Sequence, residues 1–395
     1  MQIHLARHVN VPDQTKVARS AQAPELGPKI LFFSGGSALS SLSRELIRYT
    51  YNSIHIITPF DSGGSSAVLR NAFDMPAIGD LRSRLMALAD RTVRGYPEIR
   101  ALFSYRLAHH KSQGRLECEI QEMIAGEHPL ICSIPLPMRS IIRRYIRRFH
   151  SNMPRLFDLH GANIGNIVLT GGFLANDRDL ESILFIFSKL VQVRGRVTTI
   201  VSDSLHLAAR LADSSICIGQ HTLTGKEVLP ISSTITDLYL CRSLTDDHPV
   251  SCAISTQMAR QIASADLICY PMGSFFTSLV ANLLPQGVGR AIQRAPCPKI
   301  FIPSTGHDPE VYGRDLNGLT ASLLEYLTRD APEAISPQDV LNFILVDTCH
   351  GTYPGTIDPE YMHKKGIQIL DTDLVSPPSP DLDPATLAAL LISMA

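Results

Sequence analysis

The chain contains no tryptophan, and aromatic residues make up only 6% of its 395 positions. Platforms for stacking nucleobases are therefore in short supply. An excess of charge of either sign is missing too, since 36 Lys and Arg face 37 Asp and Glu for a formal net charge of -1. No global field recruits nucleic acid or an anionic membrane surface, so neither partner is expected. No apolar run reaches the length of about eighteen residues that a membrane span needs. The first 28 residues are broken by Pro12, Pro24 and Pro28 and lack the apolar segment of a secretory signal. None of the eight cysteines pairs with another at C-x-x-C spacing, and Cys217 and Cys269 sit in apolar runs. They read as buried, reduced thiols of a cytoplasmic protein, not as a zinc site or a disulfide framework. There is no internal repeat, no H-E-x-x-H metal motif and no Ser-His-Asp order.

What is present is a chain with 45% apolar residues, enough for a large core. Residues 1–28 read as a polar leader. Lys29–Phe33 is an apolar run that ends in a Gly-Gly turn, followed by a helical pattern through Leu39, Leu42, Leu46 and Ile47, and then by a β-like run from Ile54 to Thr58. This strand-turn-helix-strand order opens a parallel sheet. Further strands are expected at Val197–Val201, Leu267–Tyr270, Lys299–Ile302 and Phe343–Val346, and helices at Leu81–Ala89, Asp179–Val193 and Phe275–Leu284. The stretch of about 90–160 reads as an inserted helical subregion. Residues 374–395 read as a Pro-rich linker and a short terminal helix. Residues 29–373 are thus expected to form an α/β domain with a Rossmann-like, doubly wound, mostly parallel sheet.

Five loops could carry chemistry. In Gly35-Gly36-Ser37, the absence of Cβ atoms lets a phosphate approach the backbone, and the helix that follows offers free N–H groups. The sequence there is neither a Walker loop nor G-x-G-x-x-G, and an ordinary strand–helix turn would look the same. In Asp61-Ser62-Gly63-Gly64-Ser65-Ser66, the glycine amides and hydroxyls suit phosphate or sugar oxygens, and Asp61 could hold a divalent cation; a helix start with a Ser/Gly lead-in is the alternative. Asp80 is placed to cap the helix that begins near it, and Arg82 to pair with a phosphate or with Asp80. Asn163 and Asn166 flank Gly165 and could read a base or sugar edge. Gly273-Ser274, with Thr277, again follows a strand and opens a helix, as a second anion-ready start. Arg143, Arg144, Arg147 and Arg148 share one helix side and read as a solvated face or a subunit contact.

Taken in order, these loops resemble the 2-phospho-L-lactate transferase (CofD) superfamily, which includes the gluconeogenesis-factor (YvcK-type) proteins. The landmarks are Ser34–Ser37, Asp61 with Gly63-Gly64-Ser65-Ser66, Gly79-Asp80-Leu81-Arg82, Asn163 with Gly165-Asn166, and Gly273-Ser274 with Thr277-Ser278. The resemblance implies a phosphate-binding cleft at the carboxyl edge of the sheet. One branch transfers a phospholactyl-type group from a nucleoside diphosphate donor with a divalent metal, which leaves magnesium open as a cofactor. The other is similar to binders of uridine diphosphate sugars tied to carbon metabolism and cell-wall synthesis, and the run 63–66 is closer to it. The chain departs from the family pattern at Ala38, where a further glycine is usual, at Ser62, where a second acid is usual, and at Ser83, where the sugar-binding branch has asparagine. A transferase of the phospholactyl type is therefore the expected activity, with a non-catalytic nucleotide-sugar-binding regulator as the alternative. In a transferase, Asp61 and Asp80 would act on an acceptor hydroxyl or a magnesium ion; in a regulator, the same loops would bind a nucleotide sugar without catalysis. A homodimer is left open.

Overall fold

The computed structural model describes residues 10–92, 96–225, 228–376 and 378–395. The first nine residues of the expected leader lie outside the described residues. Among the described residues there are ten strands: β1 (Ile30–Ser34), β2 (Ile54–Ile57), β3 (Arg196–Thr199), β4 (His206–Leu211), β5 (Ile216–Ile218), β6 (Ile235–Cys241), β7 (Leu267–Tyr270), β8 (Lys299–Phe301), β9 (Phe343–Val346) and β10 (Gln368–Asp371).

Seven of them form one sheet in the order β3-β2-β1-β7-β8-β9-β10. Every pair in it is parallel, with Leu31 opposite Ile54 and Ile30 opposite Leu267. This is the doubly wound α/β sheet expected from the sequence. Strand β1 is apolar along its length because both of its faces are covered. Leu31 and Phe33 pack into one core. Ile30 and Phe32 pack into another, with Leu42, Leu46 and the helix Pro384–Met394. The chain direction across the sheet reverses between β1 and β7, the place where loops diverge and leave a crevice.

β4, β5 and β6 form a separate antiparallel sheet that the sequence reading did not assign. Helix α1 (Gln14–Gln22) lies within the expected polar leader. It is tied to the C-terminal helix, for Asp13 N donates to Ser393 Oγ at 2.7 Å and Lys16 Nζ to the Ala395 carbonyl at 2.8 Å. Helix α1 and the C-terminal helix thus lie together. Helices α2 (Ser40–Leu46), α3 (Gly64–Phe73) and α4 (Gly79–Ala87) follow the first two strands.

The inserted region holds α5 (Pro97–Ser104), α6 (Gln113–Ala125), α7 (Pro129–Cys132) and α8 (Met138–Asn152). With α9 (Ile164–Ala175) and α10 (Leu180–Leu190), these helices pack around Phe103, Tyr145, Phe149 and Phe187, in a core they share with β2, β3, α3 and α4. Its arginines finish neighbouring helices. Arg143 Nε donates to the Ile124 carbonyl at 2.9 Å, at the end of α6, and Arg148 Nε donates to the Leu174 carbonyl at 3.3 Å, at the end of α9. Basic groups at helix C-termini satisfy the last carbonyls and the negative dipole end. The basic stretch is therefore in part a capping device.

All eight cysteines are free. Cys241, Cys269 and Cys297 are buried, whereas Cys118, Cys132 and Cys349 are exposed, so burial holds for part of the set only. Among the described residues, no helix is long and apolar enough to cross a membrane.

Helices α8 and α9 meet at Gly171, where an added Cβ would run into the Tyr145 carbonyl and come within 3.2 Å of Phe149 N. Gly171→Ala should lower the unfolding free energy by about 1–3 kcal/mol in urea denaturation. Gly114→Ala, with nothing within 4 Å of its Cβ position, should leave it unchanged or slightly higher. Equal midpoints for the two variants would show that α8 and α9 are not seated this closely.

Candidate functional site

A cleft of about 1000 Å³ opens at the carboxyl edge of the parallel sheet, over the reversal between β1 and β7. The loops after β1, β2, β7 and β8 all reach it. Gly35, Gly36, Ser37, Asp61, Gly63, Gly64, Ser65, Ser66, Asp80, Arg82, Asn166, Gly273 and Ser274 line it together. Residues scattered over 240 positions meet here because parallel strands deliver their following loops to one edge.

The Gly35-Gly36 turn is glycine for a reason the sequence did not disclose. A Cβ at Gly35 would strike the Ser278 hydroxyl, and one at Gly36 would strike the Asp80 carboxylate. The close approach that requires glycine comes from the protein's own side chains. Beneath the turn lies Arg84, fully buried on α4. Its Nη2 donates to the Gly35 carbonyl at 3.0 Å and to that of Gly36 at 3.1 Å, and its Nη1 donates to the Ser43 hydroxyl on α2. Burial lowers its pKa to about 10, with the Asp80 charge opposing the shift. Asp80 itself lies in the first turn of α4, whose N-cap position is Ile78. The capping role expected of Asp80 is therefore not the one it has.

The loop after β2 is held from below by Arg70, which donates to the carbonyls of Phe60 at 3.2 Å, Asp61 at 3.0 Å and Leu205 at 2.6 Å. Asp61 Oδ1 accepts the Gly63 N–H at 3.1 Å and so bends the chain into α3. Ser62 is buried, and its Oγ lies 2.8 Å from Nδ1 of His221. On another wall, Arg82 Nε donates to Asn166 Oδ1 at 2.9 Å, and Arg106 Nη1 donates to the Gly161 carbonyl at 3.0 Å. Both arginines line the cleft. Burial, and then the like charge of Arg106, lower the pKa of Arg82 to about 10 against the pull of Asp80.

Two expected residues have other duties. Asn163 is buried and caps α9 by accepting the Asn166 N–H at 3.1 Å, while its own amide donates to the Tyr105 carbonyl at 3.2 Å. Thr277 is buried beside Glu310, and it is Ser278 that lines the cleft. The segment after Gly273 is also not a second anion-ready helix start. The Phe275 N–H donates to Asp308 Oδ2 at 2.8 Å, and the N–H groups of Phe276 and Thr277 donate to Glu310 Oε2 at 3.0 and 2.8 Å. The chain supplies its own carboxylates there. Burial, and then the neighbouring Asp308, push the Glu310 carboxyl above its usual range, while its hydrogen bonds from Thr277 and Phe276 oppose the shift.

The sequence reading passed over Arg106, Gln220, His221, Ser304 and Asp308, all of which line the cleft. Ser304-Thr305-Gly306 follows the strand β8 and answers to the same strand-then-turn rule as the other loops. His221 and Arg106 carried no such signal.

Arg84→Met should lower the unfolding free energy by about 3 kcal/mol, because two buried carbonyls would lose charged donors. Urea denaturation measures this. A loss under about 1 kcal/mol would mean that the turn holds without the guanidinium.

Residues 30–375 match the family model for 2-phospho-L-lactate transferase CofD. The gluconeogenesis factor of Bacillus subtilis is 27% identical over 276 residues, covering 70% of this chain and 67% of that protein. The gluconeogenesis factor of Halalkalibacterium halodurans is 25% identical over 275 residues, covering 69% and 65%. The crystal structure of a UPF0052 family member from Bacillus halodurans superposes with a TM-score of 0.67 at 20% identity, over 92% of this chain and 99% of that one, which is a likeness of fold. With the family model matched over most of its length, the chain belongs to the 2-phospho-L-lactate transferase CofD family.

Proposed function

We propose that the cleft binds a nucleoside diphosphate ligand, and that a nucleotide sugar held without catalysis is the reading its geometry supports best. The observation that carries this is the placement of Arg82 and Arg106 on the same cleft as the Gly35-Gly36 turn and the start of α3. Two neighbouring guanidinium groups disfavour each other's charge, and a diphosphate between them would relieve that cost. The first amides of α3 add a positive dipole end. The chain's relatives are named gluconeogenesis factors, which fits a ligand-binding role in carbon metabolism.

A transferase is the second reading, favoured by the presence of both Asp61 and Asp80 on the cleft. An acceptor hydroxyl would attack a phosphorus of the bound diphosphate. A new P–O bond would form, the bond to the leaving nucleotide phosphate would break, and the hydroxyl proton would pass to Asp61 or to solvent. Such chemistry needs mainly positioning and charge stabilisation. Asp61 would hold a magnesium ion, whose contribution when bound is to neutralise phosphate charge. Among the described residues, Asp61 and Asp80 belong to no group of three metal-ligating side chains. The ion would therefore depend on ligand phosphate oxygens and water for most of its coordination. Ser62 adds nothing to such a site, because its hydroxyl is committed to His221. This is why catalysis ranks second.

Thermal shift with uridine and guanosine diphosphate compounds, in EDTA and in magnesium, separates the readings. A stabilisation by a uridine diphosphate sugar in EDTA is expected, amounting to about 2.7 kcal/mol at a hundredfold excess over Kd. A shift that needs magnesium and a guanosine donor would instead support the transferase. No shift with any compound would sink both. Arg82→Gln should weaken ligand binding about tenfold or more through the loss of a charge-assisted hydrogen bond. Unchanged affinity in calorimetry would remove Arg82 from the ligand's contacts.

A further inference from the structure

We infer that His221 gives the bound ligand a fixed imidazole N–H donor for an anionic phosphate oxygen, and that the buried Ser62 hydroxyl and Gly219 are what fix it. The inference rests on the nucleoside diphosphate reading above and adds the residue that contacts the phosphate from the side of the small antiparallel sheet.

Three contacts hold the ring. Ser62 Oγ lies 2.8 Å from His221 Nδ1, and the same oxygen accepts the backbone N–H of His221 at 3.3 Å. A hydroxyl has one proton to donate and lone pairs to accept with. The amide of His221 donates to Oγ, and in the proposed arrangement the hydroxyl gives its own proton to Nδ1. That arrangement makes Nδ1 the acceptor and puts the ring proton on Nε2. Gly219 supplies the third contact. Its φ is +96°, and a Cβ there would lie 2.7 Å from Cε1 and 2.8 Å from Nδ1 of the imidazole. The ring therefore rests on a surface that any side chain at position 219 would remove. Gly219 is anchored in turn, since its N–H donates to the Leu207 carbonyl on β4 at 2.7 Å.

The held ring lines the cleft. The protein engages Nδ1, which leaves Nε2–H as the nitrogen offered to a ligand. Its surroundings favour an anion. Ser62 stands two residues before Gly64, the first residue of α3, so the ring lies beside the positive end of a ten-residue helix. Arg70, a buried side chain, reaches the neighbouring imidazole of His206 at 3.2 Å. Asp61 and Arg70 are the charged groups of the same loop and helix, and Arg70 is directed at backbone carbonyls beneath the loop, not at the cleft. An oriented N–H donor of this kind places no demand on a metal ion.

The test is calorimetric titration of the full chain with uridine diphosphate and with uridine diphosphate N-acetylglucosamine, in EDTA. His221→Ala should raise Kd about tenfold. His221→Gln, whose side-chain N–H reaches to about the same place as Nε2–H, should stay within about threefold of wild type. Ser62→Ala should weaken binding while His221 remains in place. Nitrogen-15 NMR of the imidazole gives a readout that a merely structural role would not move. Wild type should show His221 as the Nε2–H tautomer, and Ser62→Ala should shift it towards a mixture. Binding by His221→Ala within twofold of wild type would overturn the inference and leave the nucleotide reading standing, as would a wild-type ring protonated on Nδ1 alone. Absence of binding by the folded wild type would overturn the nucleotide reading and, with it, the inference.

Discussion

The buried guanidinium of Arg84 is the constraint on which the site depends. A charge without water costs several kcal/mol unless hydrogen-bond partners replace the solvent. Here the replacements are the carbonyls of Gly35 and Gly36 and the hydroxyl of Ser43. One side chain therefore ties α4 to the end of β1 and to the start of α2. With the turn held in this way, Asp80 from the same helix lies against Gly36, and Ser278 from the far side of the sheet reversal lies against Gly35. The floor of the cleft is assembled by the protein alone. Preorganisation of this kind reduces the ordering cost that a ligand would otherwise bear.

The two glycine loops at the reversal look alike and are used differently. After β7, the amides of Phe275, Phe276 and Thr277 are occupied by Asp308 and Glu310. These carboxylates come from the loop beyond β8, so the helix start there serves to bind that loop to its neighbour. After β2, the helix start at Gly64 has Gly63 as its N-cap, and both glycines line the cleft. Under the proposed reading an anionic ligand would be directed towards the β1 and β2 side, where Arg82 and Arg106 also line the cleft. The asymmetry follows from which loops contribute acids: Asp308 and Glu310 point at their neighbours' amides, whereas Asp61 bends its own loop.

Much of the fold was legible. Leu267–Tyr270 and Phe343–Val346 are strands with the expected ends. Strand β1 falls within a residue of its expected place. These runs are apolar on both faces, which is how a covered parallel strand reads. The small antiparallel sheet was not legible. β4 reads His-Leu-Ala-Ala-Arg-Leu, whose alanines, leucines and arginine favour helix by local propensity, and pairing with β5 and β6 makes it extended. β5 and β10 have three and four residues and expose much of their surface, too little for a periodic signal.

By itself the sequence determined the doubly wound sheet, the inserted helices and the set of turns that gather at one edge. Each of these follows from local pattern: apolar runs, helical spacing and glycine after a strand. Only the tertiary structure decided what individual side chains do. Asn163 became a helix cap, Thr277 a partner of Glu310, Arg84 the buried clamp, and Ser62 the holder of an imidazole 159 positions away. The physical reason is that a polar side chain is satisfied by whichever donor or acceptor the packed chain brings within hydrogen-bond distance, and sequence spacing carries no record of that distance.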